Sequence, residues 1–172
     1  MLAYAFVLIA IAARFLPHAG SFNFTPVAAA LLFFGARMPR KQAWIPVALF
    51  VAADIAISHF VYGYAVQATQ IVVWGWYAAV VLMASMLKTN ASPRRLLAGS
   101  LAASVTFFVV SNFAVWAEWT MYPRTLAGLT ECYTMAIPFF RNTVASDLLF
   151  TCAFFGVAAL LPRFSHQAQP TA

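Results

Sequence analysis

The sequence predicts an all-α fold: an integral membrane bundle of six transmembrane helices. Three observations predict it. Of 172 residues, 64% are hydrophobic and 8% charged, against roughly 45–50% and about 25% in a soluble domain. The apolar residues fall into six runs, at 2–16, 25–36, 43–60, 70–87, 96–117 and 138–161. The cations cluster between particular runs, which is a topological signature. Mean hydropathy is +0.84. The expected layout is one membrane domain over residues 1–164 and a disordered polar tail over 165–172.

Run 2–16 resembles a signal-peptide core, and Ala10-Ile11-Ala12 resembles a cleavage site. A basic n-region is missing and Arg14 follows, so it reads as a retained first helix. Run 25–36 is short of the ~20 residues a straight crossing needs. Either residues 21–24 extend it, or it is a broken or re-entrant segment packed against protein. The next three runs are of spanning length, and 138–161 begins with a proline. Residues 118–137 form a long connection with Trp116, Trp119, Tyr122 and Tyr133 at or near its ends, as in an interfacial aromatic belt. Within it, residues 126–135 are expected to lie as a short surface helix.

Six crossings place Arg37, Arg40, Lys41, Lys88, Arg94, Arg95 and Arg163 on one side, seven of the ten cations. The positive-inside rule makes that side cytoplasmic, with both termini there. The net charge of +6 then reflects topology, and nucleic acid is not an expected partner. Cys132 and Cys152 make no disulfide framework. Neither CxxC nor HExxH occurs, so no metal site or cofactor is expected.

Polar residues concentrate in the outer halves of the spans. Asp54 and Asp147 lie deep in apolar runs, where a carboxylate costs at least ~2.5–3.5 kcal/mol and needs a partner or a wet cavity. With them go Arg14, Asn23, Asn112, Trp116, Arg141 and Asn142. These eight residues are the expected lining of an outward-facing cavity. Cations would hold an anionic part of a ligand, Asn and Asp would read its hydrogen-bonding groups, and Trp would stack. Six residues on from Arg141, Asp147 is expected to face the same cavity without stacking on it. The plainer readings are that Arg14 and Arg141 snorkel to headgroups, that Asp54 and Asp147 pair with them architecturally, and that Asn112 joins two helices. Ala52-x-x-x-Ala56 and Gly99-x-x-x-Ala103 have the spacing of close helix contacts, and Gly35 and Gly128 read as turn or cap positions.

Several motifs resemble a known family. Asn23-Phe24-Thr25-Pro26-Val27-Ala28-Ala29 with Phe33-Phe34-Gly35-Ala36, then Tyr122-Pro123-x-Thr125-Leu126-x-Gly128-Leu129 and Pro138-Phe139-Phe140-x-Asn142, look like an uncharacterised family of small bacterial six-helix membrane proteins. More distantly the plan is similar to the S components of energy-coupling-factor (ECF) vitamin transporters. That resemblance implies capture of a small nutrient at the outer face, with a membrane coupling subunit and ATPases as partners. The first span lacks the Ala-x-x-x-Ala spacing by which such components dock.

Capture of a small-molecule ligand is thus the leading expectation. A solitary ion-coupled carrier would use Asp54 and Asp147 as titrating groups, but inverted repeats and paired broken helices are not apparent. An enzyme is not expected: Ser104, Ser111 and His59 are raw material for a hydrolase, yet no GxSxG nucleophile motif is present. A structural or assembly protein without a ligand would use its Asp–Arg pairs only to join helices.

Overall fold

A computed structural model describes the backbone of residues 1–15, 23–88 and 91–167, and side chains as far as Leu161. The described residues contain six α-helices: α1 (Leu2–Arg14), α2 (Val27–Arg37), α3 (Trp44–Ala56), α4 (Ala68–Ala84), α5 (Pro93–Glu118) and α6 (Leu126–Gln167), with short helical turns beside them. Four helical stretches are long and apolar enough to cross a membrane: 40–62, 68–87, 93–118 and 126–161. Helices α1 and α2 are shorter.

The short second run is resolved by position. Every residue of α2 from Val27 to Ala36 is buried, and the helix packs against α1, α4, α5 and α6. A helix enclosed by protein need not match the bilayer thickness. Asn23, with φ 62°, precedes it in left-handed geometry, which Asn tolerates better than most residues. The possible extension at residues 21–22 lies outside the described residues.

Two faces of α2 set the packing. Phe33 meets Phe6 of α1 edge-on at 4.9 Å and Phe155 of α6 at 4.9 Å, while Phe6 stacks on Phe154 at 4.1 Å. On the α4 side, a Cβ at Gly35 would lie 2.3 Å from the Val81 carbonyl oxygen. Gly35 is therefore a close-approach position within α2, not the turn or cap its sequence suggests. The Gly99–Ala103 spacing also packs inward, with Ala103 fully buried.

The loops cross-link each end of the bundle. At one end, Arg40 Nε donates to Ser85 Oγ at 2.9 Å, and the Arg37 guanidinium lies 5.8 Å from the Phe33 ring and 5.7 Å from that of Phe155. At the other, the Glu118 carboxylate accepts from the backbone N–H groups of Ala68 at 2.7 Å and Thr69 at 2.6 Å. Those are orphan donors of the first turn of α4, and a carboxylate there also complements the helix dipole.

Two expectations change. The connection after α5 is residues 119–125, and α6 runs unbroken from Leu126 through Pro138. The surface helix expected at 126–135 is thus the first part of α6. Thr125 sets the start: its Oγ1 accepts from the Gly128 N–H at 3.2 Å, a helix-capping contact. Gly128 is needed because a Cβ would lie 2.1 Å from the Pro123 carbonyl oxygen. Pro138 removes one ladder hydrogen bond without ending the helix, as membrane helices tolerate. At 42 residues, α6 is roughly 60 Å long, about twice the hydrocarbon thickness. It continues through Gln167, and residues 168–172 lie outside the described residues. Second, α3 widens after Ala56 into a π-helical segment, Ile57–Tyr62, which ends at Gly63 with φ 71°. Such segments are rare and frequent at functional sites.

Candidate functional site

A pocket of about 390 Å³ lies inside the bundle toward its Glu118 end, beside the π-helical segment of α3. Its apolar walls are Val27, Ala28, Ile57, Val73, Trp76, Phe107 and Val115. Of the eight residues the sequence singles out, it gathers four: Arg14, Asn23, Asp54 and Asp147.

Asp54 is held from three directions. Arg14, the last residue of α1, forms an ion pair with its Oδ1. Arg14 Nη1 also donates to Tyr77 Oη at 2.6 Å. Tyr77 Oη in turn donates to Asp54 Oδ2 at 3.1 Å, and Trp74 Nε1 donates to the same oxygen at 2.9 Å. Asp54 is 5% exposed and Arg14 24%. The network joins α1, α3 and α4. The expected Arg14–Asp54 pair therefore forms, and the tyrosine between its members spreads the charge over a third helix. A charge pair at this depth is retained when its remaining hydrogen-bond sites are filled.

Asp147 is different. It is 2% exposed and faces the pocket from the middle of α6. Ser104 Oγ of α5 donates to its Oδ2 at 2.6 Å. Among the described residues no cation pairs with it, and its Oδ1 accepts no hydrogen bond. Arg141, the partner expected for it, is exposed on another side of α6. Six residues at 100° each rotate the chain by about 240°, so the two side chains leave the helix in different directions.

The remaining predicted residues fall outside the pocket lining. Asn112 Nδ2 donates to the Phe108 carbonyl of its own helix at 2.7 Å. Trp116 Nε1 donates to the Pro123 carbonyl at 3.0 Å, with the Arg124 guanidinium 5.6 Å from its ring. Trp116 thus holds the α5–α6 connection. Asn142, on α6, is half-buried and is not among the lining residues. Cys132 and Cys152 are both free thiols.

Sequence reasoning passed over several lining residues. Gln70 Nε2 donates to Ser58 Oγ at 2.6 Å, bracing α4 against the π-helical segment. Tyr62 and Tyr64, with rings stacked at 5.7 Å, flank the pocket at that segment's end. Trp76, 8% exposed, donates from Nε1 to Thr106 Oγ1 at 3.1 Å and presents its ring to the pocket. Ser111 and Thr143 donate to carbonyls of their own helices and keep lone pairs available. A signal existed: Thr69, Gln70, Val73, Trp76 and Tyr77 recur at three- and four-residue spacing on one face of α4. A second, apolar groove lies between Val72, Val109, Phe113 and Tyr133. It has few polar groups at its edge and suits hydrocarbon.

Across residues 1–170 the chain matches the model of a family of unknown function, DUF6580. The chain belongs to this family. No curated protein and no solved structure matches it. Among the described residues the pocket offers an internally neutralised Arg14–Asp54 pair, one carboxylate without a cationic partner, aromatic walls and a few hydroxyl acceptors.

Proposed function

We propose that this DUF6580 protein captures a small, vitamin-sized nutrient from the outer face of a bacterial inner membrane. All six helices cross, both termini are cytoplasmic, and the protein acts as a binding component of the ECF S-component type. It then delivers its ligand to a membrane coupling subunit driven by ATPases. The observation that carries the reading is the pocket itself. A volume of about 390 Å³ with mostly apolar walls and a few convergent polar groups is the usual form of a small-molecule site. The positive-inside rule supports the orientation, because the pocket lies toward the end opposite Arg37 and Arg40.

One observation favours a second reading, a structural protein without a ligand: the Arg14–Asp54–Tyr77 network already pairs its own charges. It does not account for Asp147. Equilibrium binding of a panel of vitamins and related nutrients to the purified chain in nanodiscs separates the two. Capture requires at least one saturable ligand, lost in Asp147→Ala and retained in Arg141→Ala. No ligand from the panel, or one indifferent to Asp147→Ala, overturns it.

A further inference from the structure

We infer that the ligand of this pocket carries a protonated nitrogen with at least one N–H, and that Asp147 is the group that holds it. This rests on the capture reading and names its substrate class. Among the described residues the pocket lining contains three charged groups, Arg14, Asp54 and Asp147. Arg14 and Asp54 neutralise each other, so Arg14 is not free to receive an anion. Asp147 is the remainder. A carboxylate enclosed this deeply either takes up a proton or gains a positive partner; Arg141 faces elsewhere, so a cation that holds the ionised form comes with the ligand.

Hydrogen bonding narrows the cation. Ser104 fills Oδ2 of Asp147, and among the described residues Oδ1 accepts no hydrogen bond, which leaves it as the open acceptor. An ammonium or amidinium N–H meets that vacancy with a charge-assisted hydrogen bond, whereas a quaternary ammonium has no donor to offer. The walls fit the same ligand. Trp76 and Phe107, in contact at 4.9 Å, give an apolar body a surface, and an aromatic face also attracts a cation. Thr143, one turn before Asp147 on α6, lines the pocket as well. Its hydroxyl proton goes to the Phe139 carbonyl, leaving its oxygen as an acceptor for a second N–H.

Three probes of one shape test this: benzamidinium, benzamide and benzoate, which are cationic, neutral and anionic on the same ring. Each is titrated against the full chain in nanodiscs, with thermal stabilisation and tryptophan fluorescence as readouts. Benzamidinium is expected to bind saturably and at least about tenfold more tightly than benzamide, equivalent to ~1.4 kcal/mol, with benzoate weakest. Asp147→Asn is expected to abolish that preference. The ranking is measured on the wild-type chain, so it stands even if the variant does not fold. Equal binding of all three probes, or preference for benzoate, overturns the cationic assignment while leaving capture intact. So does stabilisation by sodium over N-methylglucamine with no response to benzamidinium, since the occupant is then inorganic. If no probe binds, the cationic assignment falls. If the nutrient panel also gives nothing, capture falls with it.

Discussion

The two buried carboxylates of this bundle occupy similar depths and have opposite surroundings. Asp54, between α1, α3 and α4, is given a guanidinium, a phenol and an indole. Asp147, between α5 and α6, is given one serine hydroxyl among the described residues. The difference teaches that burial by itself does not identify a ligand site. What identifies it is which side of the protein's own accounting of charge and hydrogen bonds is left open. Both sides line the pocket, but on the α1–α3–α4 side the charges already have protein partners, while on the α5–α6 side, among the described residues, the carboxylate has no cation.

Substitutions can break this contrast, beginning with the largest effect. Asp54→Ala leaves the Arg14 guanidinium without its counter-charge, and removing one member of a buried pair costs about 3–5 kcal/mol. The variant is expected to lose most of its folded population in detergent, read by thermal unfolding. Arg14→Met combined with Asp54→Leu should recover much of that loss. If the double variant is as unstable as the single one, the pair is not the source of the effect. Next, Ser104→Ala removes the one donor to Asp147, at about 1–3 kcal/mol. A smaller penalty would mean that water or another group already serves that carboxylate.

Asp147→Asn separates the two sites most sharply. It removes a charge that the fold does not pair, so stability should change by less than about 1 kcal/mol or rise, in contrast to Asp54→Asn. Equal losses at both positions in chemical or thermal unfolding would erase the distinction. The smallest effect belongs to Arg141→Ala, within about 0.5 kcal/mol, because its side chain is exposed. A larger drop would show that Arg141 does reach a partner.

The helical class and the membrane character were legible because composition alone excludes most alternatives. The Arg14–Asp54 pair was legible for a related reason: few charges lie inside apolar runs, so they have few possible partners. Tyr77 was not, since a tyrosine in an apolar run reads as wall or interface until α3 is seen beside it. Arg141 was misplaced because nearness in depth does not put two side chains on one face, and a six-residue spacing already turns it away from Asp147 on a helix. Asn112 and Trp116 looked like ligand groups, but each gives a donor to a backbone carbonyl and lies outside the pocket lining, and spacing does not reveal that competition. Pro138 suggested a helix start, and the cap at Thr125 shows that the first turn lies thirteen residues earlier. The widening of α3 after Ala56 has no simple composition signal, yet it carries Tyr62 to the pocket.

The enclosed helix α2 has a consequence for biogenesis. With eleven residues it is too short to be held across a bilayer alone, and its final neighbours α4, α5 and α6 are synthesised after it. During translation it has to wait at the lipid surface or lean on α1 until those later segments arrive. Its enclosure is therefore a late event, and the pocket wall formed by Val27 and Ala28 is completed only when the last helix is in place. A ribosome stalled before α6 would display a chain with the Arg14–Asp54 pair already available and no binding site to go with it.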